Sequence, residues 1–174
     1  MVWLRAEQPV DLDGVRRVVE AAFGQPDEAR IVDQLRADGD LAMNHLADRK
    51  GEIIAHVAFS PAQVIDDAGE PREIPGGLLA LAPMAVLPEY QRQKIGGGLL
   101  QSALMRLERE GVGAIVVLGH PEYYPKFGFT PASALGLRGP FDAPDEAFLL
   151  RVLRDDLPRD AFHGMLRYAP ALQG

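Results

Sequence analysis

Leu87-Pro88-Glu89-Tyr90-Gln91-Arg92-Gln93-Lys94-Ile95-Gly96-Gly97-Gly98-Leu99-Leu100 joins an apolar, strand-like run to an amphipathic helical pattern. The connection is rich in glycine, amide side chains and positive charge. Residues Gln91 to Gly98 can turn consecutive backbone N–H groups, and the positive end of a helix dipole, toward one place. An anion is the expected occupant, and a phosphate suits it best. The bland alternative is a structural turn whose glycines only allow tight packing. Three adjacent glycines are a poor way to stabilise a helix start, which favours a ligand.

Two familiar phosphate loops do not fit. A P-loop ends in Lys-Ser or Lys-Thr after its glycines, and neither dipeptide follows here. A dinucleotide fingerprint needs a third glycine where Gln101 stands. The segment instead resembles the acyl-CoA loop of the GNAT superfamily of N-acyltransferases, [QR]-x-x-G-x-[GA]. Gln91 matches the first position and Gly96 the last; Lys94 stands where a glycine is usual. A negative φ at Lys94 would leave its N–H available and add a charge. A positive φ would weaken binding.

A second segment carries the same resemblance: Val116-Val117-Leu118-Gly119-His120-Pro121-Glu122-Tyr123-Tyr124-Pro125-Lys126-Phe127-Gly128-Phe129. Tyr124 to Phe129 match the Y-x-K-x-G-F tract that many GNAT enzymes carry after their fifth strand. Together the two segments are similar to the YhbS-like bacterial subgroup. The resemblance implies a mixed α+β (α/β) GNAT fold. It has a central mixed, mostly antiparallel twisted sheet with a splayed parallel strand pair, flanked by helices. Residues 1–174 would form one such domain.

For the site, the resemblance implies acetyl-CoA as acyl donor. Its pyrophosphate would lie on Gln91, Arg92, Gln93, Lys94, Ile95, Gly96, Gly97 and Gly98. Backbone N–H groups of Met84, Ala85 and Val86 would face the pantetheine arm and thioester, as an added strand would. Tyr124 matches the tyrosine that protonates the departing CoA thiolate. Its bland reading is an aromatic packed under a proline-rich turn. Many relatives place a glutamate base on the strand before the loop, but Leu78 to Leu87 contains no acidic residue. His120 and Glu122 are the nearest alternatives. Deprotonation through ordered water is the other route.

The reaction class implied is N-acetyl transfer to a primary amine, on a small molecule, peptide or protein. Transfer is direct, in a ternary complex, because no cysteine exists to carry the acyl group. The rival reading is a non-catalytic acyl-CoA-binding sensor or regulatory module. A weaker third is an unrelated phosphate-ligand protein sharing only the loop.

Composition sets outer bounds. A chain of 174 residues has length for one domain with a proper core. Absence of cysteine excludes disulfides and thiol ligands. The first residues lack the basic-then-apolar order of a signal peptide. The longest apolar run, Leu78 to Leu87, is interrupted by Pro83 and too short to span a bilayer. A cytoplasmic location is the default. The net charge of −7 argues against general nucleic-acid binding. His45, His56 and His163 show no metal-ligand spacing, so no metal is expected. Self-association into a homo-oligomer is left open.

The remaining elements follow from periodicity and punctuation. A short strand is expected at Trp3 to Arg5. A helix capped by Asp11 runs to Gly24, and a second follows Pro26-Asp27 and stops at Gly39. Leu41 to Arg49 and Glu52 to Ile65 read as strands around Lys50-Gly51, with Pro61 at a bulge or edge. Leu78 to Leu87 reads as a strand buried on both faces. A helix from about Gly96 to Glu110 and a strand at Ala114 to Leu118 complete a βαβ unit with parallel strands. Ala147 to Leu153 and Gly164 to Tyr168 are further candidate strands.

Overall fold

Lys50 and Gly51 both take positive φ, 53° and 88°. A two-residue hairpin needs that pair of left-handed residues to match the twist of its strands. It joins β2 (Met43–Arg49) to β3 (Glu52–Ile65), with Arg49 opposite Glu52. The structure is a computed structural model describing residues 1–173. The described chain divides into two compact units, residues 1–60 with 82–106, and residues 61–81 with those from 107 onward.

In the first unit, β1 (Val2–Ala6) pairs antiparallel with β2, and β2 antiparallel with β3. Two helices of twelve residues follow β1: α1 (Leu12–Phe23) and α2 (Asp27–Asp38). Each ends on a left-handed glycine, Gly24 and Gly39, as expected. Val15, Val18 and Val19 of α1 and Ala29, Val32 and Leu35 of α2 are buried, the helical-period face read from the sequence. Asp11 precedes α1 but does not cap it through its side chain. Its carboxylate accepts the Gln8 N–H at 2.7 Å and two bonds from the Arg5 guanidinium at 2.7 and 2.9 Å. Asp11 therefore braces the β1-to-α1 connection, and Arg5 holds its carboxyl below the usual range.

β4 (Leu78–Val86) begins in the second unit and ends in the first, where it leads through the loop to α3 (Ile95–Arg109). It is not uniformly buried. Leu78, Ala80, Leu81, Pro83 and Ala85 are buried, while Leu79, Ala82, Met84 and Val86 are half-buried. Apolarity along both edges of the pattern did not distinguish the two.

In the second unit, β4 pairs parallel with β5 (Ala114–Leu118) over Leu78↔Ala114, Leu79↔Ile115 and Ala80↔Val116. β5 pairs antiparallel with β8 (Phe148–Val152), and β8 with the short β6 (Thr130–Pro131). The end of β3 takes a new neighbour, β9 (Gly164–Arg167), which also runs parallel to β7 (Leu137–Arg138). Pro61 sits where β3 changes partners: Met43 faces Phe59, and Arg167 faces Gln63. A missing N–H is harmless there. Val64, Leu78, Val116, Phe148, Leu150, Phe162 and Leu166 belong to this unit's core. A short α4 (Pro170–Gln173) follows β9. The architecture is the mixed α/β one expected, mostly antiparallel, with β4 and β5 parallel and helices flanking the sheet. The two-residue strands β6 and β7 had no periodic signal to read.

Candidate active site

In the first unit, a single 3-10 turn (Pro88–Tyr90) follows β4. Leu87 donates its N–H to Ile54 of β3 at 2.9 Å, which fixes where the strand stops. Tyr90 ties the turn back to β2: Arg49 donates to its hydroxyl at 2.9 Å and lies 5.5 Å from the ring centroid. The Gln91 side chain donates to the Val86 carbonyl at 3.0 Å, and that of Gln93 to the Glu89 carbonyl at 2.9 Å. Both amides brace the loop.

The backbone between these braces is strained. Arg92 and Lys94 have φ of 63° and 65°. Left-handed geometry costs an L-residue roughly 1–2 kcal/mol. Lys94 thus takes the conformation that suits the usual glycine, the case expected to weaken phosphate binding. Such strain concentrates at ligand clamps, and alternating left-handed residues form concave nests of N–H groups. The Gln91 N–H is used by Pro88, and the Gly98 N–H by Lys94. Among the described residues the six N–H groups from Arg92 to Gly97 have no such acceptor. A Cβ on Gly98 would meet nothing within 4 Å, so packing does not require that glycine. The six amides, two left-handed residues and open space beside Gly98 fit a pyrophosphate. Met84, Ala85 and Val86 lie at the end of β4, beyond the three residues paired with β5.

Elsewhere in this unit lies a buried polar pair with no signal in the sequence. His56 of β3 is fully buried; its Nε2 lies 3.2 Å from Asn44 Oδ1 and 3.8 Å from Glu7, which Arg36 holds at 2.8 Å. Burial and the nearby Arg36 push its imidazole down to about 3. His45 shares a hydrogen bond of 3.1 Å with Ser102 of α3.

In the second unit, β5 ends at Leu118, and the chain enters the Gly119–Phe129 turn. Gly119 donates to Ala147 O at 2.9 Å. Tyr123 and Tyr124 donate their N–H groups to His120 O at 3.1 and 3.3 Å, coiling the backbone so that Tyr124 points inward. Tyr124 is 8% exposed and packs edge-on against Tyr123 at 5.1 Å and Phe129 at 5.6 Å. Burial pushes its phenol up to about 12, so it stays protonated. Among the described residues its hydroxyl has no hydrogen-bond partner. A Cβ on Gly119 would run into the Tyr124 ring. Only glycine admits that ring, a requirement visible in the sequence merely as a glycine closing β5. His120 and Glu122 are exposed on the same turn.

Residues 12–129 match the model of the Acetyltransferase (GNAT) family. The chain is 35% identical over 154 residues to the uncharacterized N-acetyltransferase YhbS of Escherichia coli K12, covering 88% of each protein. The crystal structure of Escherichia coli YhbS in complex with CoA superposes with a TM-score of 0.87 at 32% identity, covering 99% of this chain and 92% of that one. A GNAT acetyltransferase from Brucella melitensis in complex with acetyl-CoA superposes at 0.78 and 31% identity, covering 99% and 98%.

Proposed function

The chain belongs to the GNAT acetyltransferase family, and from that premise we propose that it transfers acetyl from acetyl-CoA directly to a primary amine. The observation that carries the reading is the run of acceptor-free amides from Arg92 to Gly97. In this reading their N–H groups hold the pyrophosphate, and the backbone of Met84, Ala85 and Val86 lines the pantetheine and thioester. We read residues 1–174 as one domain, since β3 and β4 each run from one unit into the other.

The chemistry then has few parts. The ammonium of the acceptor loses a proton to His120 or through ordered water. The amine nitrogen attacks the thioester carbonyl carbon, and the oxyanion is met by backbone donors. As the C–S bond breaks, the Tyr124 hydroxyl gives its proton to sulfur, and the phenolate regains one from the adduct nitrogen through water, leaving the neutral amide. A phenol pushed up to about 12 holds that proton at every physiological pH. General acid assistance of this kind contributes about 10²–10⁴ in rate. With no cysteine in the chain, no acyl-cysteine stage intervenes.

Thiol release from acetyl-CoA, followed with polyamines, aminoglycosides, amino acids and peptide N-termini, tests the proposal. Amine-dependent release supports it. Tight acetyl-CoA binding with no release by any amine would establish the sensor reading instead.

A further inference from the structure

β7 accompanies β9 for only two residue pairs, Leu137↔Gly164 and Arg138↔Met165. Gly139-Pro140 follows, and Pro140 has no N–H with which to extend the ladder. β9 continues to Arg167 beside β3 alone. The flank left there, wholly within the second unit, is a cavity of about 770 Å³. Small-molecule sites fall at roughly 300–1,000 Å³, with apolar walls and a few placed polar groups.

The walls are aromatic and aliphatic: Phe141, Tyr168, Leu166 and Leu172. The Phe141 and Tyr168 rings lie 6.2 Å apart at 32°, and Phe141 packs edge-on against the buried Phe148 at 5.2 Å. That contact holds one wall in place. The rim carries both signs of charge, but not equally available. Asp66 accepts the N–H groups of Ala68 and Glu70, each at 2.9 Å, and is used by its own turn. Asp67 faces Arg138 at 3.4 Å and His163 at 3.6 Å. Arg167 has no ion-pair or hydrogen-bond partner among the described residues. The Tyr168 hydroxyl likewise has no hydrogen bond among them, on a ring whose burial pushes the phenol up to about 12. Of these two groups the Arg167 guanidinium can only donate, while the Tyr168 hydroxyl can donate or accept.

We propose that this cavity is a second ligand site, which takes a carboxylate carried on an aromatic body. The Arg167 guanidinium receives the carboxylate, a pairing suited to its planar fork. The body lies against Phe141 and Tyr168, and the phenol donates to a polar atom of the ligand. A free aromatic acid and a peptide ending in phenylalanine both present this chemistry.

The test is titration of the full chain with 3-phenylpropionate, read by calorimetry and by backbone amide NMR shifts, without CoA. Shifts are expected at Phe141, Arg167 and Tyr168. Arg167→Gln should weaken binding about tenfold or more, as loss of a charged hydrogen bond does, and leave the melting temperature unchanged. The neutral amide of the same acid should bind as poorly to the unaltered chain. A peptide ending in phenylalanine that binds more tightly, with the same shifts, would support the site and identify a chain terminus as its source. The proposal is overturned if the amide or 2-phenylethylamine binds as well as the acid, if Arg167→Gln changes nothing, or if those amides do not move. CoA-induced stabilisation is measured separately, so failure here leaves the acyl-donor reading standing.

Discussion

In the proposed reading, the loop from Arg92 to Gly97 and the turn from Gly119 to Phe129 would serve the chemistry by opposite means. In the loop the side chains of Gln91 to Lys94 are exposed, and the backbone is what matters. Its shape is held by Gln91, Gln93 and Tyr90, against the cost of two left-handed residues. In the turn the backbone is a support and one side chain matters. Tyr124 is held by ring packing and by the missing Cβ of Gly119. A backbone site tolerates changes of side chain that spare its dihedral angles. A side-chain site tolerates none that move the ring.

Removing the Tyr124 hydroxyl should have the largest effect. Tyr124→Phe keeps the ring and its contacts, so acetyl-CoA affinity should hold while kcat falls about 10²-fold or more. Because burial raises the phenol, the unaltered enzyme should show no loss of kcat from phenol ionisation up to about pH 10, the ordinary tyrosine value. Steady-state thiol release across pH measures both. Near-full turnover in the variant would reduce Tyr124 to a packing residue.

Two glycine substitutions set the regions against each other. Gly119→Ala forces a Cβ into the Tyr124 ring and should destabilise by roughly 1–3 kcal/mol. Gly98→Ala meets open space near the start of α3 and should stabilise by roughly 0.5–1 kcal/mol. Denaturant midpoints of the two variants should therefore move in opposite directions. Equal shifts would erase the contrast between a packed turn and an open loop.

An effect as small as that of Gly98→Ala is expected at Lys94. Lys94→Gly relieves a left-handed residue and should raise stability by about 1 kcal/mol, seen as a higher melting temperature. Acetyl-CoA affinity should change by about tenfold or less, ~1.4 kcal/mol, since a lost charge and a relieved side chain oppose each other. A gain of several hundredfold would show a loop impaired by its lysine and favour the sensor reading.

Much of this was legible in the residues. Gly24, Gly39 and Gly51 mark the ends of α1, α2 and β2 because left-handed geometry selects glycine. The helical faces of α1 and α2 follow from period alone. Asp11 was legible as a residue of the α1 start but not in its role, because Arg5 arrives from β1 with a stronger claim on its carboxylate. The loop was legible through its glycines, whereas the left-handed Arg92 was not. No local signal announces strain that the surrounding braces impose. The fit of Gly119 to the Tyr124 ring, and the pairing of His56 with Asn44, depend on residues brought together only by folding.

Acetyl-CoA titration followed at the backbone amide nitrogens shows whether the Arg92–Gly97 backbone holds the pyrophosphate. Saturable shifts are expected centred on Arg92, Gln93, Lys94, Ile95, Gly96 and Gly97, with CoA producing the same set and Gly96→Val abolishing both the shifts and the ligand-induced rise in melting temperature. Acetyl-CoA binding that leaves these six amides unmoved, or that persists undiminished in Gly96→Val, would contradict it.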